Sequence, residues 1–247
     1  MKPYYGPKDG ITIYHGDCLT ILPEIVSVDV VIADPPYGVT SLPWDKWPGD
    51  HWIKALPGVS LWCFGSLRLF MERRDDFSNW RLSQDIIWEK HNGSSLHADR
   101  FRKVHEVIAH FYRGDWARVY KSVVTTPDAT KRTVRAKTKP PHWRALKPID
   151  KYESFDGGPR LQRTVLRVRS EHGRAEHPTQ KPVGIIAPLI EYSSRRGGIV
   201  LDPFAGSGST LVAAALAGRR AIGIEIEERY CEIAAKRLGQ RVLGMGT

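Results

Sequence analysis

An open, mostly parallel α/β sheet is the fold this sequence predicts, and three observations predict it. Residues 199–226 read strand, glycine-rich turn, helix, strand, which is a Rossmann-like unit. Val28–Ala33 (VDVVIA) is a β-branched run of the kind buried on both faces of a parallel sheet. Asp85–Trp88 and Val104–Tyr112 read as two further strands separated by polar loop, which suits the antiparallel edge of such a sheet. The chain has 247 residues, enough for one domain of this type with a smaller inserted region.

The elements follow in order. Ile11–His15 alternates and ends at Gly16-Asp17, like a strand entering a loop. VDVVIA stops at Asp34-Pro35-Pro36-Tyr37, where two prolines, unable to donate to a ladder, fix the strand's end. Leu61–Phe64 is a short strand closed by Gly65-Ser66. Thr125–Lys151, rich in Lys, Arg, Thr and Pro, reads as loops and short strands, partly disordered without a partner. Helical spacing returns over Val183–Tyr192, with a kink expected at Pro188. The strand Ile199–Leu201, the alanine-rich helix Ser209–Ala217 ended by Gly218, the strand Ala221–Ile226 and the helix Glu227–Leu238 close the chain.

Composition narrows the function class. No apolar run approaches the ~18 residues of a membrane span, and Met1–Gly10 lacks the apolar stretch of a signal peptide. A cytoplasmic protein is expected. The three cysteines, Cys18, Cys63 and Cys231, have neither disulfide parity nor ligand spacing, so no disulfide framework and no metal site are expected. The formal net charge is +10, and Gly114–His172 alone holds fourteen Lys or Arg against six Asp or Glu. That concentration suits a phosphate-binding surface; a solvated basic loop is the alternative.

Three stretches carry chemistry. Asp34-Pro35-Pro36-Tyr37 stands at the C-terminal edge of a buried strand, where open α/β sheets bind ligands. The exocyclic amine of a nucleobase is a poor nucleophile because its lone pair is delocalised into the ring. A carboxylate accepting one N–H and a proline-fixed carbonyl accepting the other favour the pyramidal form that an incoming methyl carbon requires. A neighbouring tyrosine can stack on an extruded base. A plain Asp-Pro turn is the alternative. The second stretch is Asp202-Pro203-Phe204-Ala205-Gly206-Ser207-Gly208-Ser209-Thr210, between strand and helix. Its glycines admit close approach of a ligand to the backbone, and the helix start favours an anion. It is not a dinucleotide fingerprint, because Leu211 stands where the third glycine belongs, and it lacks the Gly-Lys-Ser/Thr of a P-loop. The third is Glu225, with Ile226 at the end of AIGIEI, seventeen residues beyond Gly208. A carboxylate there can accept from both hydroxyls of a ribose; a helix N-terminal charge is the alternative.

Together these residues resemble the amino-DNA methyltransferases in their permuted β arrangement, in which a DPPY-type motif comes first, a target-recognition region second and the glycine loop last. His177-Pro178-Thr179-Gln180-Lys181-Pro182 is similar to a further family element preceding the cofactor strand, and His15-Gly16-Asp17-Cys18-Leu19 to another. The resemblance covers roughly residues 1–112 and 175–240. It implies an S-adenosylmethionine-dependent methyltransferase fold with a single sheet of about seven strands, helices on both faces and a small basic insert. Residues 1–113 would be the catalytic half, 114–172 the target-recognition region and 173–247 the cofactor half. It implies S-adenosyl-L-methionine as cofactor, with its methionine carboxylate at the helix start and its ammonium on Asp202. Glu225 and Ile226 would take the ribose side, Asp17 and Cys18 the adenine, and His177, Thr179 and Lys181 the methionine side.

Double-stranded DNA is the implied partner, with the target base flipped beside the methyl donor: within the catalytic motif Asp34, Pro35, Pro36 and Tyr37, Asp34 orients its amine, Pro35 offers a carbonyl and Tyr37 stacks. DPPY is the usual form in adenine-N6 enzymes and SPPY is commoner in cytosine-N4 enzymes, so Asp34 implies adenine, with cytosine-N4 as the alternative. A homodimer and a cognate restriction endonuclease are further arrangements of this class. Arg132, Arg135, Lys137, Lys139, Arg144 and Lys147 are candidate phosphate contacts, and His142 and Trp143 candidates to wedge or stack where the base leaves. Trp44, Trp47 and Trp52 are expected near the base or in a lid, with core packing favoured for Trp52; Trp88 fits either place. His105-Glu106 resembles a family element and receives no role. The rival readings are an RNA methyltransferase, an inactive DNA-binding regulator and a nucleotide-dependent oxidoreductase, the last sharing only the glycine turn.

Overall fold

Alternation along a few buried strands builds the layers. The structure, a computed structural model, describes residues 1–38, 45–91, 93, 99–134, 152–171 and 180–244. Its strands in chain order are β1 (Tyr5–Lys8), β2 (Ile11–His15), β3 (Val30–Ala33), β4 (Ser60–Gly65), β5 (Arg81–Glu89), β6 (His105–Tyr112), β7 (Thr125–Thr126), β8 (Arg132–Val134), β9 (Tyr152–Ser154), β10 (Arg160–Leu161), β11 (Val165–Arg167), β12 (Ile199–Asp202) and β13 (Arg220–Glu225). The α-helices are α1 (Cys18–Ile21), α2 (His51–Ala55), α3 (Leu67–Glu72), α4 (Val183–Ser193), α5 (Ser209–Leu216) and α6 (Glu228–Gly244).

Nine strands form one sheet in the order β1-β2-β13-β12-β3-β4-β6-β5-β11. The five from β2 to β4 are parallel, β6 is antiparallel to both β4 and β5, and β1 is antiparallel to β2. The expected antiparallel edge is therefore present, but the strand count is nine where seven was expected. The two additional strands lie at the margins: β1 pairs with β2, and β11 runs parallel to β5 with Leu166 opposite Trp88.

Period-2 alternation divides the core. Val30 and Ile32 of β3 join α4, α5 and α6 on one face, while Val31 and Ala33 join α1 and α2 on the other. Helices therefore cover both faces, and β3 is apolar at every position because it has no solvent face. Helix α4 runs through Pro188. Trp52 and Trp88 are both core residues, the latter donating from Nε1 to the Val168 carbonyl at 2.8 Å. Trp47 packs against the same core as Trp52 and donates from Nε1 to Asp76 at 2.8 Å.

Contacts divide the chain into two compact units, Met1–Ser122 with Thr164–Thr247, and Val123–Arg163. The smaller unit contains two hairpin-like pairings, β7 with β10 and β8 with β9. Among the described residues no helix is long and apolar enough to cross a membrane.

A buried polar knot fastens α4 to the sheet. His110 on β6 stacks on Trp62 of β4 with centroids 4.3 Å apart. Its Nε2 lies 2.9 Å from the Ser60 hydroxyl and its Nδ1 2.6 Å from the Ser83 hydroxyl, while Trp62 donates to Ser193 of α4 at 2.7 Å. Burial holds the His110 ring down to about 4. In the unfolded chain a histidine titrates near ~6.5. The native state thus resists a proton that the unfolded state accepts, so the contribution is complete above about 6.5 and is lost as pH falls toward 4. Urea unfolding of the wild type should lose on the order of 3 kcal/mol across that window from this group, and His110→Phe should flatten that limb. Equal slopes in the two proteins would show that His110 does not carry it.

Candidate active site

The sheet order places the functional motifs before any side chain is considered. From β12 the chain passes through α5 to β13 on one side; from β3 it passes through α2 to β4 on the other. Helices α5 and α2 pack on opposite faces. Adjacent parallel strands whose connections diverge in this way open a crevice at their C-terminal ends. Asp34 follows β3 and Asp202 ends β12, so both stand at that switch point. Glu225 ends the next strand, β13, and Gly16-Asp17 follows β2 beside it, with Gly16 N–H bonded to the Glu225 carbonyl.

Three carboxylates therefore line the ends of three adjacent strands, and each is largely buried. Burial pushes Asp202 up to about 7, against the pull of the Phe204 N–H, 3.0 Å from its Oδ1, and of the Thr210 hydroxyl. The negative charges of Asp34 and Glu225 push in the same direction as burial. Burial likewise raises Glu225, whose Oε2 accepts from Gly206 N–H at 2.7 Å and whose Oε1 accepts from Glu227 N–H at 2.8 Å. Each oxygen keeps a lone pair for one more donor.

The glycine loop is shaped by what a side chain would strike. Gly208 has φ +79°, and a Cβ there would lie 2.8 Å from the Ala234 Cβ of α6. The closeness of loop to helix thus requires glycine twice over, for backbone and for space. Ala205 is buried and its N–H bonds to the Ile224 carbonyl, tying the loop to β13. Phe204 meets the Trp52 indole edge-on with centroids 5.0 Å apart. Pro203, Ser207, Ser209 and Thr210 are all buried at the start of α5. Ser207 donates to Gln180 Oε1 at 2.9 Å, and Arg237 of α6 donates to the Ser207 carbonyl. Ile226, by contrast, exposes 60% of its surface just outside Glu225.

At the other end of the crevice the DPPY segment turns onto itself. The Tyr37 hydroxyl donates to Asp34 Oδ1 at 2.7 Å, and the Lys181 ammonium donates to Oδ2 at 2.6 Å. Burial raises the Asp34 carboxyl above the ordinary carboxylate range, against the pull of Lys181. Lys181 keeps its charge because Asp34 and Glu106 outweigh its burial. Glu106 is paired on its other oxygen with Lys90. Pro35 is buried and Pro36 half-buried beside them.

The expected site residues divide clearly. The structure brings Asp34–Tyr37, Asp202–Thr210, Glu225, Ile226 and Lys181 to one edge of the sheet. Lys181 was expected beside the methionine moiety, and its ammonium lies on Asp34. Asp17 caps α1, its Oδ1 accepting from Leu19 N–H at 2.9 Å, and Cys18 is a core residue whose thiol burial pushes up to about 12. Arg132 is exposed on β8 in the smaller unit. His177, Thr179, Arg135, Lys137, Lys139, Arg144, Lys147, His142, Trp143 and Trp44 lie outside the described residues. Glu106, Lys90, Gln180 and Arg237 receive no role from the sequence; the His105-Glu106 element and the position of Gln180 within His177–Pro182 are the signals that point to two of them.

Gly208→Ala should lower stability by more than the about 1–2 kcal/mol that a left-handed alanine costs, because α6 must also give way. Gly197→Ala, with φ +75° and nothing within 4 Å of the added Cβ, supplies the strain alone. Equal losses in denaturant melts of the two variants would show that the loop–α6 contact is slack.

Comparison with known proteins places this geometry. A family model described as DNA methylase, of the N6/N4 type, matches residues 28–236. The type II methyltransferase M.HinfI of Haemophilus influenzae is 30% identical over 92% of this chain and 68% of its own length. Among solved structures, the M1.HpyAVI–SAM complex matches 92% of this chain and 99% of its own at TM-score 0.60 and 25% identity. The PvuII cytosine-N4-specific DNA methyltransferase shares the fold at TM-score 0.65 and 15% identity, over 96% of this chain and 88% of its own.

Proposed function

The chain belongs to the N6/N4 DNA methylase family, and from that premise we propose that it methylates the exocyclic N6 of an adenine turned out of duplex DNA. Its cofactor is S-adenosyl-L-methionine, the ligand of the similar M1.HpyAVI complex, which supplies an activated methyl group on a sulfonium. The observation that carries the proposal is Asp34: a buried carboxylate at the switch point of the sheet, one strand from Asp202, with its two oxygens held by Tyr37 and Lys181.

The residues present fit that cofactor. Glu225 retains acceptor capacity for two ribose hydroxyls after its two backbone bonds. The start of α5 offers the unpaired N–H groups that every helix start carries, suited to a carboxylate. Asp202 suits the ammonium, and its buried carboxyl gains most from a cation arriving beside it. The exposed Ile226 side chain offers an apolar cover next to Glu225.

At the base, Asp34 accepts one N–H of the amine and the Pro35 carbonyl accepts the other, turning the lone pair out of conjugation. Tyr37 lies against the base face. Once nitrogen has gained carbon it must lose a proton, and a carboxylate raised by burial is the more willing acceptor. The carboxylate form of the motif favours adenine. The second reading is cytosine N4, the other base amine within the N6/N4 family. Of the six candidate phosphate contacts, Arg132, exposed in the smaller unit, is the one among the described residues, and it belongs to a basic segment proposed to follow the DNA backbone.

Unmethylated bacterial genomic DNA incubated with protein and cofactor, digested to nucleosides and resolved by mass spectrometry, should yield N6-methyladenine. N4-methylcytosine in its place would move the substrate to the second reading. Asp34→Ala should abolish transfer while leaving cofactor affinity within about twofold of wild type, and lost cofactor affinity would contradict the role given to Asp34.

Cofactor affinity should itself depend on pH. With Asp202 near 7, the carboxylate must ionise before it can hold an ammonium, so affinity should fall about tenfold per unit below that point. Calorimetry from pH 5.5 to 7.5 should show this acid limb, and Asp202→Asn should flatten it; an unchanged limb in that variant would assign it elsewhere.

A further inference from the structure

The buried charges beside Asp34 form a row that is one hydrogen bond short. Lys90 pairs with Glu106 Oε1, Lys181 bonds Asp34 Oδ2 at 2.6 Å, and Tyr37 bonds Asp34 Oδ1 at 2.7 Å. Among the described residues the buried Glu106 Oε2 has no hydrogen-bond partner, and the Lys181 ammonium lies 3.6 Å from it. That separation is an ion pair but not a hydrogen bond. The ammonium thus occupies one of two seats and faces the other, which is vacant.

In the arrangement described here, Asp34 is poorly prepared for an amine. Both of its oxygens already accept strong donors, and an ammonium on one of them withdraws the charge that makes a carboxylate a good acceptor. A base amine arriving at Oδ2 competes directly with Lys181. Moving the ammonium by under about 1 Å toward Glu106 Oε2 would bring it to charge-assisted hydrogen-bond distance. The space between is bounded by aromatic faces, with Nζ 5.7 Å from the Tyr37 ring centroid and 5.4 Å from that of Phe64. A cation remains favourable above such faces.

We infer that Lys181 is a two-seat positioning residue: its ammonium guards Asp34 while the site is empty and transfers to Glu106 Oε2 when the target amine enters. Glu106 is the second seat, and Lys90 holds that carboxylate ionised and in place. The inference rests on the reading of Asp34 as the acceptor of the amine. It adds that Asp34 is released for this task by Glu106, a residue that itself touches neither base nor cofactor. Between turnovers the same ammonium keeps the buried Asp34 from standing unpaired.

The test is single-turnover transfer of labelled methyl to unmethylated genomic DNA, with protein in excess and cofactor saturating. Glu106→Gln keeps the shape of the side chain and weakens the second seat, so Lys181 stays on Asp34. The rate should fall by about 10²-fold, with cofactor affinity and thermal unfolding unchanged. Removing the trapped cation in that background, as Glu106→Gln/Lys181→Met, should raise the rate by about tenfold over Glu106→Gln alone. A merely structural role for the pair predicts that the double variant is as slow as the single one or slower, and that result would overturn the inference. Glu106→Asp, which keeps the charge and withdraws the seat by one methylene, guards against a misfolded amide variant and should also slow transfer. Full activity in both Glu106 variants would likewise overturn the inference. Asp34→Ala in the same assay separates the two levels: activity there would end the reading of Asp34 itself, whereas an inactive Asp34→Ala beside a fully active Glu106→Gln would end only the two-seat role.

Discussion

Burying negative charge at the ends of parallel strands is the constraint on which the rest of this structure depends. Asp34, Asp202 and Glu225 stand on three adjacent strands, and a carboxylate removed from water must find donors or take up a proton. The loops around them are built as donors. Gly206 and Glu227 give backbone N–H groups to Glu225, Phe204 gives one to Asp202, and Lys181 and Tyr37 serve Asp34. The glycines of the loop follow from this, because only a backbone free of side chains can turn tightly enough to point its N–H groups at a carboxylate and still rest against α6.

The same constraint explains how motifs far apart in sequence make one site. Lys181 and Asp34 are separated by 147 positions, yet their contact is short. What joins them is strand order: β12 inserts between β3 and β13, so the Asp34–Tyr37 segment near the start and the Asp202–Thr210 segment near the end finish at the same edge. The order of motifs along the chain is free to vary so long as the sheet order is kept. The identity of the enzyme therefore lies in which side chains meet at the edge, and the fold alone, shared with a cytosine-N4-specific enzyme at 15% identity, does not choose the base.

Much of this was legible in the sequence, and the remainder failed for physical reasons. β3, apolar at every position, and β12, apolar up to Asp202, are legible because strands buried on both faces carry such runs, and the motif loops because they follow these strands. β1 is hidden because its Gly6-Pro7 pair reads as a turn, although its partner β2 follows at once; β11 is hidden because three residues carry no periodicity and its partner β5 lies far back in the chain. Asp17 and Cys18 read as ligand contacts, yet the visible work of their side chains is a helix cap and a core position. Glu106 is the instructive case. Its position at a strand start was noted, but a buried carboxylate acquires meaning only from the cations facing it, Lys90 from β5's end and Lys181 from ahead of α4, and such pairings are invisible to a reading that moves along one segment at a time.

Charge also decides between the two classes of ligand that a glycine turn of this kind can serve. A dinucleotide would bring a pyrophosphate, carrying negative charge, to an edge lined by three buried carboxylates. At an effective dielectric of about 20, each unit-charge repulsion at about 4 Å opposes binding by on the order of 4 kcal/mol. A ligand bearing an ammonium and a sulfonium reverses the sign of those interactions, and its single carboxylate can be met by the helix start, away from the acidic row. Asp202 contributes on the cation side of this difference: held near 7 by burial, it takes up a proton and falls neutral beside an anion, and becomes a carboxylate beside a cation. The electrostatics of the edge thus favour a cationic methyl donor over the pyrophosphate of an oxidoreductase's dinucleotide.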